Sequence, residues 1–309
     1  MTQSSSHATT RAGRVALVGL PNVGKSSLLN ALLGEHIAIT SPHPQTTRET
    51  VRGILTRGNT QFVIFDTAGL HEPRTQLGRR MIGAARQAAH DADVIVVLVE
   101  APREGQAPHA RADDRALLAD LPGRPAVLAI NKVDRCKDKS VLLPMIASLT
   151  QSHRFAATVP VSAKRADGLD RLLDEVGTLL PEQPLIFEPD TLSDQPMRFF
   201  VAEFVREQIL KHTRQEVPHG VAVFVERFEE RGPVTLIEAS IHVAREPHKK
   251  ILIGAEGRML KSIGTAARAR IEGMLSRKVN LQLRVRATPG WMDDVARLRE
   301  LGFGETEGS

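Results

Sequence analysis

Four short stretches hold residue types at spacings that suit phosphate and base chemistry. Gly19-Leu-Pro-Asn22-Val23-Gly24-Lys25-Ser26-Ser27 carries the pattern GxxxxGK[ST]. Between a strand and a helix, such a loop points successive backbone N–H groups at one spot, and the positive helix end adds to the attraction for anions. Lys25 then reaches the terminal phosphates, and the Ser26 hydroxyl suits Mg²⁺. Asp66-Thr-Ala-Gly69 comes next. A carboxylate there holds Mg²⁺ through water and the Gly69 N–H meets a γ-phosphate, so this stretch senses the state of a nucleotide. In Asn131-Lys132-Val133-Asp134, one carboxylate accepts from the N1–H and the exocyclic amine of guanine, the Asn side chain bonds N7, and Lys132 lies along the ring face. Adenine offers neither donor in that arrangement, so Asp134 rejects it by leaving polar groups unpaired. Ser162-Ala163-Lys164 completes the set, because a small residue lets its N–H approach O6 of guanine. Singly the last three are weak patterns; in this order they converge on GTP or GDP with Mg²⁺.

A further segment, Ser41-Pro42-His43-Pro44-Gln45-Thr46-Thr47-Arg48, has no helical pattern. It is the expected switch, ordered by γ-phosphate and Mg²⁺ and released afterwards. Thr47 is the chosen metal-binding hydroxyl, with Thr46 its close rival; Ser26, Thr47 and Asp66 form the metal set. The reaction implied is in-line attack of water on a γ-phosphate, with Lys25, Thr47 and Gly69 as the catalytic candidates. Leu70, after Gly69, offers no polar side chain to orient the attacking water, so intrinsic hydrolysis is expected to be slow.

These motifs need strand ends to hold them. Continuous apolar runs at Val15–Gly19, Phe62–Phe65, Val94–Val99, Ala126–Ile130 and Thr158–Val161 read as strands buried on both faces. They alternate with helical patterns at Lys25–Leu33, Gln76–Ala89, 109–120, Ser140–Leu149 and Leu169–Leu180. A hairpin over Val51–Asp66, turning at Gly58 and Asn59, makes one sheet edge antiparallel. The expectation is a mostly parallel six-stranded α/β sheet over residues 10–180. Four prolines in residues 181–196 read as a linker. A second, α+β domain follows at 197–303, with a helix at Met197–His212, strands at Val221–Phe228, Val234–Ala244 and Leu281–Val285, a glycine-punctuated helical region from Gly254 and a last helix near Trp291. Trp291 reads as a packing anchor in that helix's first turn.

Composition narrows the alternatives. The 309 residues suffice for about two domains, and 41% hydrophobic with 25% charged residues excludes disorder over most of the chain. A single cysteine, Cys136, excludes a disulfide framework and a thiolate-rich zinc site. The polar start, MTQSSSHATTRAGR, and the want of an 18-residue apolar run make an intracellular protein the expectation. The formal net charge of +5 is unevenly spread: residues 245–286 hold 11 basic and 3 acidic side chains, against 6 and 11 in 181–244 and 2 and 5 in 287–309. That concentration is what a nucleic-acid face requires.

The order GLPNVGKSSLLN, QTTR, DTAGL, NKVD and SAK resembles the Era family of the translation-factor-related GTPases. The second half carries a matching feature, HKKILIGAEGRMLKSIG, which is similar to a KH core with its GxxG loop, and it closes on LQLRVRATPGWMDD. The resemblance implies a P-loop GTPase fold followed by a KH type II domain. It implies that Lys249, Lys250, Gly254, Gly257, Arg258, Lys261 and Arg268 contact RNA. Glu256 departs from a phosphate-binding loop, since its charge opposes phosphates passing there. The resemblance further implies 16S rRNA near its 3′ end and the 30S subunit as partners, a monomer, and a cytoplasmic location with peripheral association at the inner face of the cell membrane. Asn22 resembles the position that helps bind K⁺ in related GTPases.

Overall fold

The computed structural model describes residues 9–43, 45–103, 109–213 and 217–303; Pro44 of the switch segment and the first residues of the polar start lie outside them. Two compact units divide the chain. One takes the stretch before Ile39, Thr47–Glu72 and Met81–Asp194. The other takes Ile39–Thr46, Pro73–Arg80 and the chain from Gln195 on.

The first unit is built on a six-stranded sheet of order β2-β3-β1-β4-β5-β6. Its strands are β1 (Arg11–Gly19), β2 (Val51–Arg57), β3 (Thr60–Asp66), β4 (Val94–Glu100), β5 (Ala126–Asn131) and β6 (Ala157–Pro160). Only β2, at the edge, runs antiparallel; the other neighbours are parallel. β4 and β5 are buried almost throughout, as continuous Val/Ile/Leu runs between two helical layers must be. The helices are α1 (Lys25–Leu33), α2 (Gln76–Asp91), α3 (Ala112–Ala119), α4 (Leu142–Ser152) and α5 (Leu169–Leu179). β1 starts four residues earlier than its apolar run, because Arg11–Arg14 continue the ladder against Thr60–Val63.

Residues 181–194 differ from the free linker that their prolines suggest. They strap the edge of the sheet: the Ile54 N–H donates to Leu192 O at 2.8 Å, and Arg52 pairs with Asp194 at 3.0 Å. The fully buried Gln61 accepts from the N–H groups of Ile186 and Phe187 and donates to Phe187 O. An edge strand carries unpaired N–H and C=O groups, and this strap satisfies part of them.

The second unit contains α6 (Met197–His212), β7 (Val221–Arg231), β8 (Val234–Val243), α7 (Glu246–Ile253), α8 (Arg258–Leu275), β9 (Lys278–Ala287) and α9 (Val295–Glu300). β7 and β8 form an antiparallel pair, and β9 joins β8 in parallel after the α7–α8 crossover. α7 has no counterpart in the sequence pattern, because KKILI is too short to show a helical period. Trp291 is fully buried, donates to Gly220 O at 3.3 Å and stacks on Phe303. It precedes α9 rather than lying in its first turn; the helix starts at Val295, and the carboxylate of its N-cap Asp294 accepts from the N–H groups of Ala296 and Arg297.

α6 is buried on nearly every side, charged residues included. Glu207 has no exposed surface and accepts from Arg270, Lys211 and the N–H of Thr40 at 3.2, 3.2 and 3.3 Å. Neighbouring Arg206 donates to Thr46 O and pairs with Glu203. The Ile39–Thr46 stretch, which has no helix or strand among its described residues, is therefore held by backbone contacts to buried charges.

Candidate functional site

Each motif of the first unit sits where a strand ends. β1 hands Gly19 to the loop and α1 begins at Lys25, with Gly24 at φ 101 as the helix N-cap. A side chain at Gly24 would meet Asn131 Nδ2 at 2.4 Å, and one at Gly19 would meet Leu98 O at 2.5 Å. Both glycines of the pattern are thus required by close approach, and Gly24 by its left-handed backbone as well. Val23 is buried, whereas Asn22 and Ser27 are exposed.

Lys25 is buried and donates to the carbonyls of Gly19 and Leu20 at 3.0 and 3.1 Å. Burial pulls its pKa down to about 8, against the opposing attraction of Asp66. Because the folded value lies below the ordinary one of 10.5, the nucleotide-free chain gains stability as pH rises from about 8 towards 10.5. A phosphate beside the ammonium reverses the preference, so binding above pH 8 must take up a proton. GDP affinity is expected to fall with a slope approaching tenfold per pH unit above about pH 8. Calorimetry in buffers of different ionisation enthalpy should show proton uptake that grows from about pH 7.5 to about pH 9.

Three oxygens converge beside Lys25. Ser26 Oγ donates to Asp66 Oδ2 at 2.6 Å, Thr47 Oγ1 donates to the same oxygen at 3.3 Å, and the two hydroxyls are 2.9 Å apart. Thr46 points elsewhere, its hydroxyl donating to His43 O at 2.7 Å beside Ser41. Two hydroxyls and one carboxylate are hard donors, the chemistry that suits Mg²⁺ sharing phosphate oxygens. Among the described residues no cluster of His, Cys, Asp and Glu offers another metal site.

The strand end that carries Asp66 is bolted to the phosphate loop. Thr67 donates to Leu17 O at 2.8 Å, Leu70 N–H donates to Gly19 O at 3.1 Å, and a side chain at Gly69 would strike Pro21 N at 2.5 Å. Leu70 packs against the hydrophobic core.

The residues expected to read the base are joined to one another. Asn131 is buried; its Nδ2 donates to Val23 O at 2.9 Å, and its Oδ1 accepts from the N–H groups of Lys132 and Ala163 at 2.8 and 3.1 Å. A single amide therefore ties three loops together. Lys132, at φ 66, sends Nζ to Asn22 O at 2.6 Å and to Glu100 at 3.1 Å. Asp134 accepts from the buried Ser162 hydroxyl at 2.6 Å, which is the main reason its pKa lies below the ordinary range. Lys164 is exposed. Cys136 donates to Pro102 O and burial raises its pKa, so its thiol is held unreactive. Glu100 was not singled out in the sequence; an acid ending a run of apolar residues was the one available sign.

In the second unit, α7 ends at Gly254, a short turn spans Ala255–Gly257, and α8 starts at Arg258. Gly254 has φ 69 and ψ 176, a conformation open essentially to glycine alone. Glu256 takes φ 53 and ψ 26, which costs a non-glycine residue about 1–2 kcal/mol. Glu256→Gly is therefore expected to stabilise the unit by about 1 kcal/mol in urea unfolding. Removing the charge should also tighten RNA binding severalfold in a low-salt titration.

The basic segment sorts into two groups. Arg270 pairs with Glu207 and lies over Phe204; Arg277 pairs with Glu230, Arg284 with Glu238 and Arg286 with Glu226. Lys249 makes only a long pair with Glu246 at 3.6 Å. Among the described residues no ion pair engages Lys250, Arg258, Lys261 or Arg268, and all four are exposed. The positive charge left over thus flanks the Gly254–Gly257 loop.

Known proteins match both units. The family model described as "50S ribosome-binding GTPase" matches residues 14–132, and one described as "KH domain" matches residues 216–291. GTPase Era of Nitratidesulfovibrio vulgaris is 41% identical over 300 residues, 96% of this chain and 98% of that protein. The chain belongs to the Era family of GTPases. GTPase Era of Geobacter metallireducens is 43% identical over 297 residues, covering 95% of this chain and 98% of that protein. Two solved Era structures superpose with a TM-score of 0.90 at 35% identity. One is an Aquifex aeolicus Era variant bound to GDP and AlF₄⁻, covering 96% of this chain and all of that one. The other is Era with MgGDPNP and nucleotides 1506–1542 of 16S ribosomal RNA, covering 96% and 99%.

Proposed function

We propose that this chain is a GTP-hydrolysing switch that binds 16S rRNA near its 3′ end and acts in assembly of the 30S subunit. The observation that carries the reading is the Asn131 amide, which joins the phosphate loop to both base-reading loops and so forms a guanine site before ligand arrives. The Era relatives support the RNA partner, since one of them is a complex with 16S rRNA nucleotides.

In this reading Gly19, Asn22, Val23, Gly24 and Ser27 present backbone to the phosphates, and Lys25 neutralises charge that grows on the γ-phosphate during attack by water. Ser26, Thr47 and Asp66 would hold Mg²⁺, which supplies further charge neutralisation on the phosphate oxygens. Gly69, pressed on Pro21, would donate its N–H to the γ-phosphate; Asp134 and Asn131 read guanine, Lys132 covers its face, and Ser162, Ala163 and Lys164 close the pocket. In the second unit, Gly254 and Gly257 let RNA backbone approach, and Lys249, Lys250, Arg258, Lys261 and Arg268 neutralise its phosphates. Family resemblance supports a cytoplasmic monomer that also visits the inner face of the cell membrane. Among the described residues, no helix is long and apolar enough to cross one.

Steady-state phosphate release from GTP tests the enzyme. Slow turnover is expected, lost on Lys25→Ala; undiminished turnover in that variant would contradict the assigned site. With Leu70 packed against the core, no side chain there orients water, and K⁺ near Asn22 is expected to neutralise charge on the phosphates as an arginine finger would. Hydrolysis should therefore run several-fold faster in potassium than in sodium at equal ionic strength, and equal rates would remove the cation from the account.

A further inference from the structure

β4 ends on Glu100, directly beside Asn131 in the β4–β5 ladder. Its carboxylate is largely buried, 13% exposed, and three cations surround it: Lys132 at 3.1 Å, Arg103 at 3.1 Å and Arg135 at 3.2 Å. Burial by itself raises the pKa of this carboxyl, but the hydrogen bonds and charges of Lys132 and Arg103 outweigh it and hold the group ionised. A carboxylate this enclosed is costly unless its partners are fixed.

The Lys132 partner differs from the two arginines. Lys132 stands at a left-handed backbone position and stretches its ammonium between Glu100 and Asn22 O of the phosphate loop. Both ends of the side chain are thereby anchored, and its aliphatic stem spans the gap from the end of β5 to the phosphate loop. Without Glu100 only the bond to Asn22 O would hold the ammonium, so the four rotatable bonds would sample more positions and binding would have to order them. We infer that Glu100 is a positioning residue for guanine nucleotides, acting through Lys132 to hold its stem flat where the base packs. This rests on the proposed role of Lys132 at the base.

GDP affinity and steady-state GTP hydrolysis of the full chain would be measured for wild type, Glu100→Gln, Lys132→Ala and the double variant. Glu100→Gln is expected to raise the GDP dissociation constant about 5–20-fold, mainly through faster release, and to raise KM while kcat at saturating GTP stays within twofold. In the Lys132→Ala background the same substitution should change affinity by less than twofold, because its route to the base is gone. Equal losses in both backgrounds, or none in wild type, would overturn the inference. A Lys132→Ala variant that binds GDP like wild type would instead overturn the proposed role of Lys132 itself. Glu100→Asp keeps the charge but retracts it by one methylene. It should show a smaller loss in the same direction, again only with Lys132 present, which keeps the inference testable if the Gln variant folds poorly.

Discussion

Asp134→Asn should lower affinity for GDP about a thousandfold and make xanthosine diphosphate the preferred ligand. In its proposed role the carboxylate accepts two hydrogen bonds from guanine, and each bond to a charged acceptor contributes about 1.5–3 kcal/mol. Losing both costs about 3–6 kcal/mol, or two to four decades in affinity. The Ser162 hydroxyl that donates to Asp134 at 2.6 Å can donate equally to an amide oxygen. The substituted side chain therefore keeps its orientation and turns its NH₂ towards the base, where xanthine carries a carbonyl in place of the amine. Competitive titration with the two diphosphates decides the matter. Unchanged preference for guanine would reduce Asp134 to a cap of its own loop.

Replacing both Gly254 and Gly257 with Asp should abolish RNA binding and spare GTP hydrolysis, but the two positions differ in what else they do. A side chain at Gly254 would stand 2.8 Å from Met259 Cβ, in a backbone region that only glycine occupies. That substitution alone is expected to destabilise the second unit by about 1–3 kcal/mol. Gly257 lies at φ 75 and ψ 9 with open space around it, and Asp tolerates that region. Gly257→Asp is thus the cleaner experiment: RNA affinity should fall at least a hundredfold, with thermal midpoint and hydrolysis close to wild type. Hydrolysis lost together with RNA binding would point to general unfolding; RNA binding retained would move the interface off this loop.

The nucleotide site was legible because the stretches starting at Gly19, Asp66, Asn131 and Ser162 are contiguous and each follows or ends an apolar run that reads as a buried strand. The spacing of Gly19, Gly24 and Lys25 fixes a loop and a helix start regardless of distant context. What could not be read depends on tertiary pairing. The strap over residues 181–194 needs the register between Leu192 and Ile54, which no local pattern encodes. Charge counting found the basic segment, yet only the fold shows that Arg270, Arg277, Arg284 and Arg286 are engaged by Glu207, Glu230, Glu238 and Glu226. The acidic stretch at 181–244 is thus partly the internal counter-charge of the basic one. Helix α7 stayed hidden because eight residues with a proline at the start hold barely two turns. Likewise the hydroxyls of Thr46 and Thr47 are alike in sequence and differ only in which carbonyl or carboxylate the fold brings to them.

If one chain joins a guanine-nucleotide switch to an RNA clamp, its crosslinking to ribosomal RNA must depend on which nucleotide is bound. The full chain, loaded with a non-hydrolysable GTP analogue or with GDP, would be irradiated with 16S rRNA, and the crosslinked nucleotides and peptides mapped. The expected result is crosslinks from the Lys250–Lys261 region to the 3′ end of the RNA, stronger with the GTP analogue than with GDP. Equal crosslinking in both states, or contact elsewhere on the RNA, would contradict the account.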